Sequence, residues 1–108
     1  MKTIYKYKLQ HFDECVSECV IKVPAFVAPL TVQFQDEWDQ ASGSKKIGLC
    51  LWAEVDDDPE QQQVLITIAM VGTGRKIPEG DWQYISTIQA GAFVWHFYWQ
   101  VKLSPITN

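Results

Sequence analysis

The sequence predicts an all-β chain of about seven strands, a small antiparallel meander that forms a sandwich or barrel-like sheet. Three observations predict it. Apolar and polar residues alternate with a period of two in nearly every segment. Clusters of Gly, Ser, Asp and Pro separate these segments. The 108 residues also carry five Trp, four Tyr and five Phe, so a small core can bury much apolar area with few side chains.

The elements follow in order. Thr3, Tyr5, Tyr7 and Leu9 share one strand face, with Lys6 and Lys8 on the other. Residues Asp13 to Cys19 are the best helix candidate, with Asp13 as N-cap, and read equally as loop. Cys19, Ile21 and Val23 alternate with Val20 and Lys22 until Pro24 ends the run. Leu30, Val32 and Phe34 alternate with Thr31, Gln33 and Gln35. Ala41 to Lys46 is a polar hairpin loop. Ile47, Leu49, Leu51, Ala53 and Val55 then alternate with Gly48, Cys50, Trp52 and Glu54. Asp56-Asp57-Asp58-Pro59-Glu60 is an acidic turn. Val64 to Val71 is almost continuously apolar, as in a strand buried on both faces. Tyr84 to Gln89 is a short strand, and Gly91 suits a tight hairpin. In the last strand, Phe93, Trp95, Phe97, Trp99 and Val101 alternate with Val94, His96, Tyr98 and Gln100. Leu49, Leu51, Ile66, Ile68, Ile88, Phe93 and Phe97 are the expected interior.

The length fits one domain, residues 1–108. Hydrophobic residues at 47% against 20% charged support a packed core rather than a disordered chain. A net charge of −4, with Arg75 the only arginine, argues against a binder of nucleic-acid backbone. Cys15, Cys19 and Cys50 form no second pair, and His11 and His96 are the only histidines, so a zinc site is not expected. Free thiols in a reducing cytosol are the simpler reading, with no disulfide needed for folding. The charged, alternating opening from Met1 to Lys6 does not read as a signal peptide, and no apolar run is long enough to cross a membrane.

Three segments are candidate sites. Gly72-Thr73-Gly74-Arg75-Lys76 follows a strongly apolar strand, and its two glycines bring backbone N–H groups close to an anion beside two cations. It lacks the full phosphate-loop pattern, so it also reads as a plain glycine turn. His96 could do acid–base work, but no nucleophile signature accompanies it, and a hydrogen-bonded strand histidine accounts for it as well. The acidic turn could hold calcium, but its spacing and missing glycine fit a solvated turn better.

Four stretches taken in order carry a family likeness: Met1-Lys2-Thr3-Ile4-Tyr5-Lys6-Tyr7, Leu49 to Asp56, Gly72-Thr73-Gly74 through Ile77-Pro78, and Tyr84 to Gln89 with Phe93 to Phe97. Together they resemble a family of short phage and prophage proteins of unassigned function. The likeness covers about two-thirds of the chain; the stretch from His11 to Pro24 looks longer than that pattern. The resemblance implies a virus-encoded accessory protein acting in the host bacterial cytoplasm.

The expected function is therefore non-enzymatic: a phage accessory protein that binds a host component and inhibits an antiviral defence system. Its excess of Trp and Tyr suits a protein-binding surface. One alternative is a sponge for a nucleotide second messenger. There Gly72, Thr73, Gly74, Arg75 and Lys76 would hold phosphate, and Trp52, Trp82 or Trp95 would stack on the base. Another is a minor virion structural or assembly protein. The aromatic anchors for a protein partner would be Trp38, Trp82 or Trp99. No cofactor, metal, membrane or direct nucleic-acid contact is expected; the sequence leaves self-association open. The expected binding residues are Gly72, Thr73, Gly74, Arg75, Lys76, Trp82, Trp52 and His96.

Overall fold

The alternating segments become seven strands in a computed structural model that describes residues 1–9, 16–25, 27–56, 58, 60 and 62–102. They are β1 (Lys2–Lys8), β2 (Val16–Pro24), β3 (Ala28–Asp39), β4 (Ser44–Asp56), β5 (Gln63–Gly72), β6 (Gln83–Ala90) and β7 (Phe93–Val101). All pairings are antiparallel. Two sheets result, one ordered β1-β4-β3 and the other β2-β5-β7-β6. The all-β sandwich expectation holds.

The connectivity is richer than a meander. Only β3–β4 and β6–β7 are hairpins between sheet neighbours, while β1 pairs with β4 and β2 with β5. β5 and β6 both run antiparallel to β7, which lies between them. They are therefore parallel to each other, and residues 73–82 must travel back along the sheet to join them. Period-two patterning identifies strands but says nothing of which strands pair, so this crossover was not legible.

The core lies between the sheets. Leu9, Val32, Leu51, Ala53 and Val55 from one side meet Cys19, Val23, Ile66, Ile68, Met70, Ile88 and Phe97 from the other. Leu49 packs against this cluster half-buried. Residues 66–71 are buried on both faces of β5, as the continuous apolar run requires.

Three expectations change. Val16 to Cys19 belong to β2 and are not helical, because their backbone pairs with Ile68 to Val71 of β5; residues 13–15 of that candidate lie outside the described residues. Phe93 is 65% exposed rather than interior. It is the first residue after the Gly91–Ala92 turn, at the end of its strand, and stacks on Trp95 instead of reaching the opposite sheet. Leu30 is exposed because β3 has an irregularity between Pro29 and Thr31, which breaks the alternation at that residue.

Cys19 faces the inter-sheet core, whereas Cys50, buried, points to the opposite face of its sheet, so these two are not partners for one another. Cys15 and His11 lie outside the described residues, as do Asp57 and Pro59 of the acidic turn. Asp56 and Asp58 bond that turn's own backbone: Asp58 N–H donates to Asp56 Oδ1 (3.2 Å) and Glu60 N–H to Asp58 Oδ1 (3.0 Å). The Met1 ammonium, 3.0 Å from Asp56 Oδ1, and the Asp58 N–H hold the Asp56 carboxyl below its usual range.

One side chain joins the sheets where β3 approaches β6. Ser86 Oγ accepts from Val32 N–H (2.9 Å) and donates to Val32 C=O (3.1 Å). Val32 is fully buried, so the hydroxyl satisfies two main-chain groups that would otherwise lack water. Ser86→Ala is expected to lower stability by about 1–3 kcal/mol, the cost of stranding such groups. Phe97→Ala should cost about 3–5 kcal/mol, as for a large buried aromatic. Chemical denaturation checks both; an unchanged midpoint for Ser86→Ala would mean that the clasp carries no stability.

Candidate functional site

β5 ends in a turn that the sequence dictates. Arg75 N–H donates to Gly72 C=O (3.0 Å), closing a four-residue turn with Gly74 at its third position. Gly74 has φ +86°, the value a type II turn requires there and one that a side chain makes costly. Thr73 N–H donates to Val94 C=O (3.3 Å), which ties the turn to β7. The turn therefore stands on a rigid base.

A chain of side-chain hydrogen bonds fixes its outer side. Thr73 Oγ1 lies 2.8 Å from His96 Nε2, and Thr87 Oγ1 lies 3.0 Å from His96 Nδ1. Tyr84 Oη is 2.6 Å from Thr87 Oγ1. Thr73 Oγ1 also donates to Val94 C=O at 3.5 Å. With that proton committed, His96 Nε2–H donates to Thr73, Thr87 donates to Nδ1, and Tyr84 donates to Thr87. This assignment uses every hydroxyl proton once and links the turn to β7 and β6. Both ring nitrogens of His96 are thus occupied by threonine hydroxyls, and the residue holds the turn in place.

The turn is a ridge between two recesses. The larger, about 380 Å³, is lined by Gly72, Thr73, Arg75, Phe93, Val94 and Trp95, with Ala92 at its rim. Phe93 and Trp95 form its wall, their ring centroids 5.8 Å apart and planes 17° apart. The smaller, about 170 Å³, lies on the outer face among Val71, Thr73, Arg75, Ile77, His96 and Tyr98. Arg75 borders both, and its guanidinium forms no ion pair or hydrogen bond with the described residues.

Of the residues singled out from the sequence, Gly72, Thr73, Gly74, Arg75 and His96 come together here. Lys76 is adjacent and exposed but borders neither recess. Trp82 does not join them: it sits at the far end of the 73–82 crossover, where its Nε1–H donates to Glu79 C=O (3.2 Å). Near it, Gly80 packs so close that a Cβ would overlap the Gln100 amide. Gln100 is five residues along β7 from Trp95, roughly 17 Å at strand rise. Trp52 lies on the other sheet, on the face turned away from the core, paired with Lys6 and Thr31. Trp38 is exposed near the β3–β4 hairpin tip.

Sequence reasoning missed Phe93 as a wall and Thr87 and Tyr84 as supports. Thr87 is opposite His96 in the β6–β7 register. That register contains an irregularity between Tyr84 and Ser86, so counting back from the Gly91 turn finds Thr87 but misplaces Tyr84 by one residue. Among the described residues there is no cluster of three His, Cys, Asp or Glu able to hold a metal ion. No helix among them is long and apolar enough to cross a membrane.

Over residues 1–107 the chain matches the model of a family described as a domain of unknown function, DUF7352, and it belongs to that family. No curated protein and no solved structure matches it.

Replacing Gly74 by Val should destabilise the fold by about 1–2 kcal/mol, the cost of a side chain at that φ. Arg75→Ala should stay within about 0.5 kcal/mol, since the guanidinium makes no ion pair or hydrogen bond with the described residues. Thermal denaturation of the two variants separates the scaffold from the exposed group; equal losses would contradict the turn geometry.

Proposed function

We propose that this protein is a non-enzymatic, virus-encoded accessory protein of the host bacterial cytoplasm that binds a host protein and thereby inhibits an antiviral defence. The viral origin rests on the resemblance of the four stretches, and inhibition of a defence is an association with small proteins of that kind. Binding rests on one observation. An arginine without an ion pair or hydrogen bond to the described residues and a stacked Phe–Trp pair share one recess beside a turn that continues β5, bonds β7 and, through His96, is linked to β6. Arginine and aromatics are the side chains that most often dominate protein interfaces. Anchoring to strand ends lowers the ordering cost of association.

The same recess favours a second reading. A flat aromatic wall beside a cation also suits the base and phosphate of a nucleotide second messenger, which the protein would sequester. Trp95, with Phe93, would then be the stacking surface in place of Trp52 or Trp82.

Affinity purification of the tagged protein from phage-infected bacteria, with mass spectrometry of proteins and small molecules, separates the two. Enrichment of a host protein is expected, with its loss on Arg75→Glu and on Phe93→Ala. Each substitution should weaken capture about tenfold or more, as for a hot-spot residue. A bound nucleotide with no protein partner would select the second reading. Undiminished capture by both variants would remove this site.

A further inference from the structure

We infer that the ridge at Thr73–Arg75 reads an acidic, extended segment of its partner protein, with a carboxylate on Arg75 and a neighbouring apolar side chain on the Phe93–Trp95 wall. This rests on the proposed binding role and gives the chemistry of the partner.

The ridge holds bonding capacity that the described residues do not use. The guanidinium of Arg75 and the ammonium of Lys76 make no ion pair, and the N–H of Gly74 makes no hydrogen bond, with the described residues. No acidic residue lines either recess. Arginine presents a planar fork of N–H donors that fits a carboxylate with two parallel bonds. Local charge therefore favours an anionic group at this edge, although the chain as a whole carries −4.

The wall specifies what accompanies the carboxylate. Phe93 is 65% exposed, while Trp95 is half-buried and packed against the core. The inner ring thus anchors the outer one, and an apolar side chain laid on Phe93 removes water from a surface that is already ordered. The ridge also separates two recesses that share Gly72, Thr73 and Arg75. An extended segment repeats its same-face side chains about 7 Å apart. A segment crossing the ridge can set a carboxylate on Arg75 and a neighbouring apolar side chain on the Phe93–Trp95 wall.

A free nucleotide fits less well. Small ligands usually bury roughly 70–90% of their surface, and the larger recess is lined only by the turn and the first residues of β7 with the residue before them. A phosphate dianion also meets more repulsion from a chain of net charge −4 than a single carboxylate does. A protein segment continues past the recess and gains contact area beyond it.

A random peptide library displayed on phage and panned against the immobilised full chain, wild type and Arg75→Glu in parallel, tests this. Enriched peptides are then titrated into the ¹⁵N-labelled protein, with adenosine monophosphate as the nucleotide probe. The expected peptides place Asp or Glu beside an aromatic or branched apolar residue and shift the amides of residues 72–76 and 93–96. Arg75→Glu should bind them about tenfold or more weakly and should enrich Lys- or Arg-containing peptides instead. A preserved amide spectrum verifies its fold, and Arg75→Gln serves if it is perturbed. No enrichment, a consensus without acidic residues, identical binding by the Arg75 variants, or shifts with the nucleotide alone would overturn the inference. Capture of a host protein that depends on Phe93 but not on Arg75 would leave the binding role standing and remove the acidic segment.

Discussion

Placing β7 between β5 and β6 forces the chain to recross its own sheet, and the surface around Arg75 follows from that. A direct β5–β6 hairpin would have absorbed Gly72 to Arg75 into a tight strand connection. Here the chain must leave β5, turn, and run the length of β7 before β6 begins. The turn consequently stands proud of the sheet end. It is bonded to β7 through the Thr73 amide and, through His96 and Thr87, to the inner edge of β6. Loops are ordinarily the mobile part of a fold. This one is fastened at its origin, so Arg75 projects from an ordered base.

The rest of the fold supplies that base. The apolar core couples the two sheets, and the Ser86 hydroxyl closes the side where β3 meets β6 by bonding both main-chain groups of Val32. A hydroxyl there does what another strand would do, leaving Val32 nothing to offer an incoming chain. Ser86 and Thr87 are consecutive and serve opposite faces of β6, one toward the facing sheet and the other toward His96. The Tyr84–Ser86 irregularity in β6 sets their phase, which connects inter-sheet closure to support of the turn.

Much of the fold was legible because alternation is a direct image of the pleat. Cys19 and Val23, Leu51, Ala53 and Val55, and Phe97 all face inward as their spacing demands. The apolar run of β5 is buried on both faces, and Val71 on the outer one lines the smaller recess together with Ile77 of the crossover. What was not legible depends on pairing and on position along a strand. Phe93 has the phase of a core residue but stands at the strand end, beyond the reach of the opposite sheet. Trp52 and Trp82 look as promising as Trp95 in the sequence. Only the strand order places Trp95 opposite Gly72 and carries the other two away. The glycine turn itself was readable, since Gly72 and Gly74 follow a buried strand and flank a threonine before the only arginine.

The ridge between the two recesses is the proposed place of recognition. Hydrogen–deuterium exchange of the protein, free and bound to its captured partner, tests it most directly. The account predicts slowed exchange in the bound state at the amides of residues 72–76 and 93–96, with the outer face of the β1-β4-β3 sheet unchanged. Protection confined to that outer face, around Trp52 and Ile4, with no change at the ridge, would contradict it.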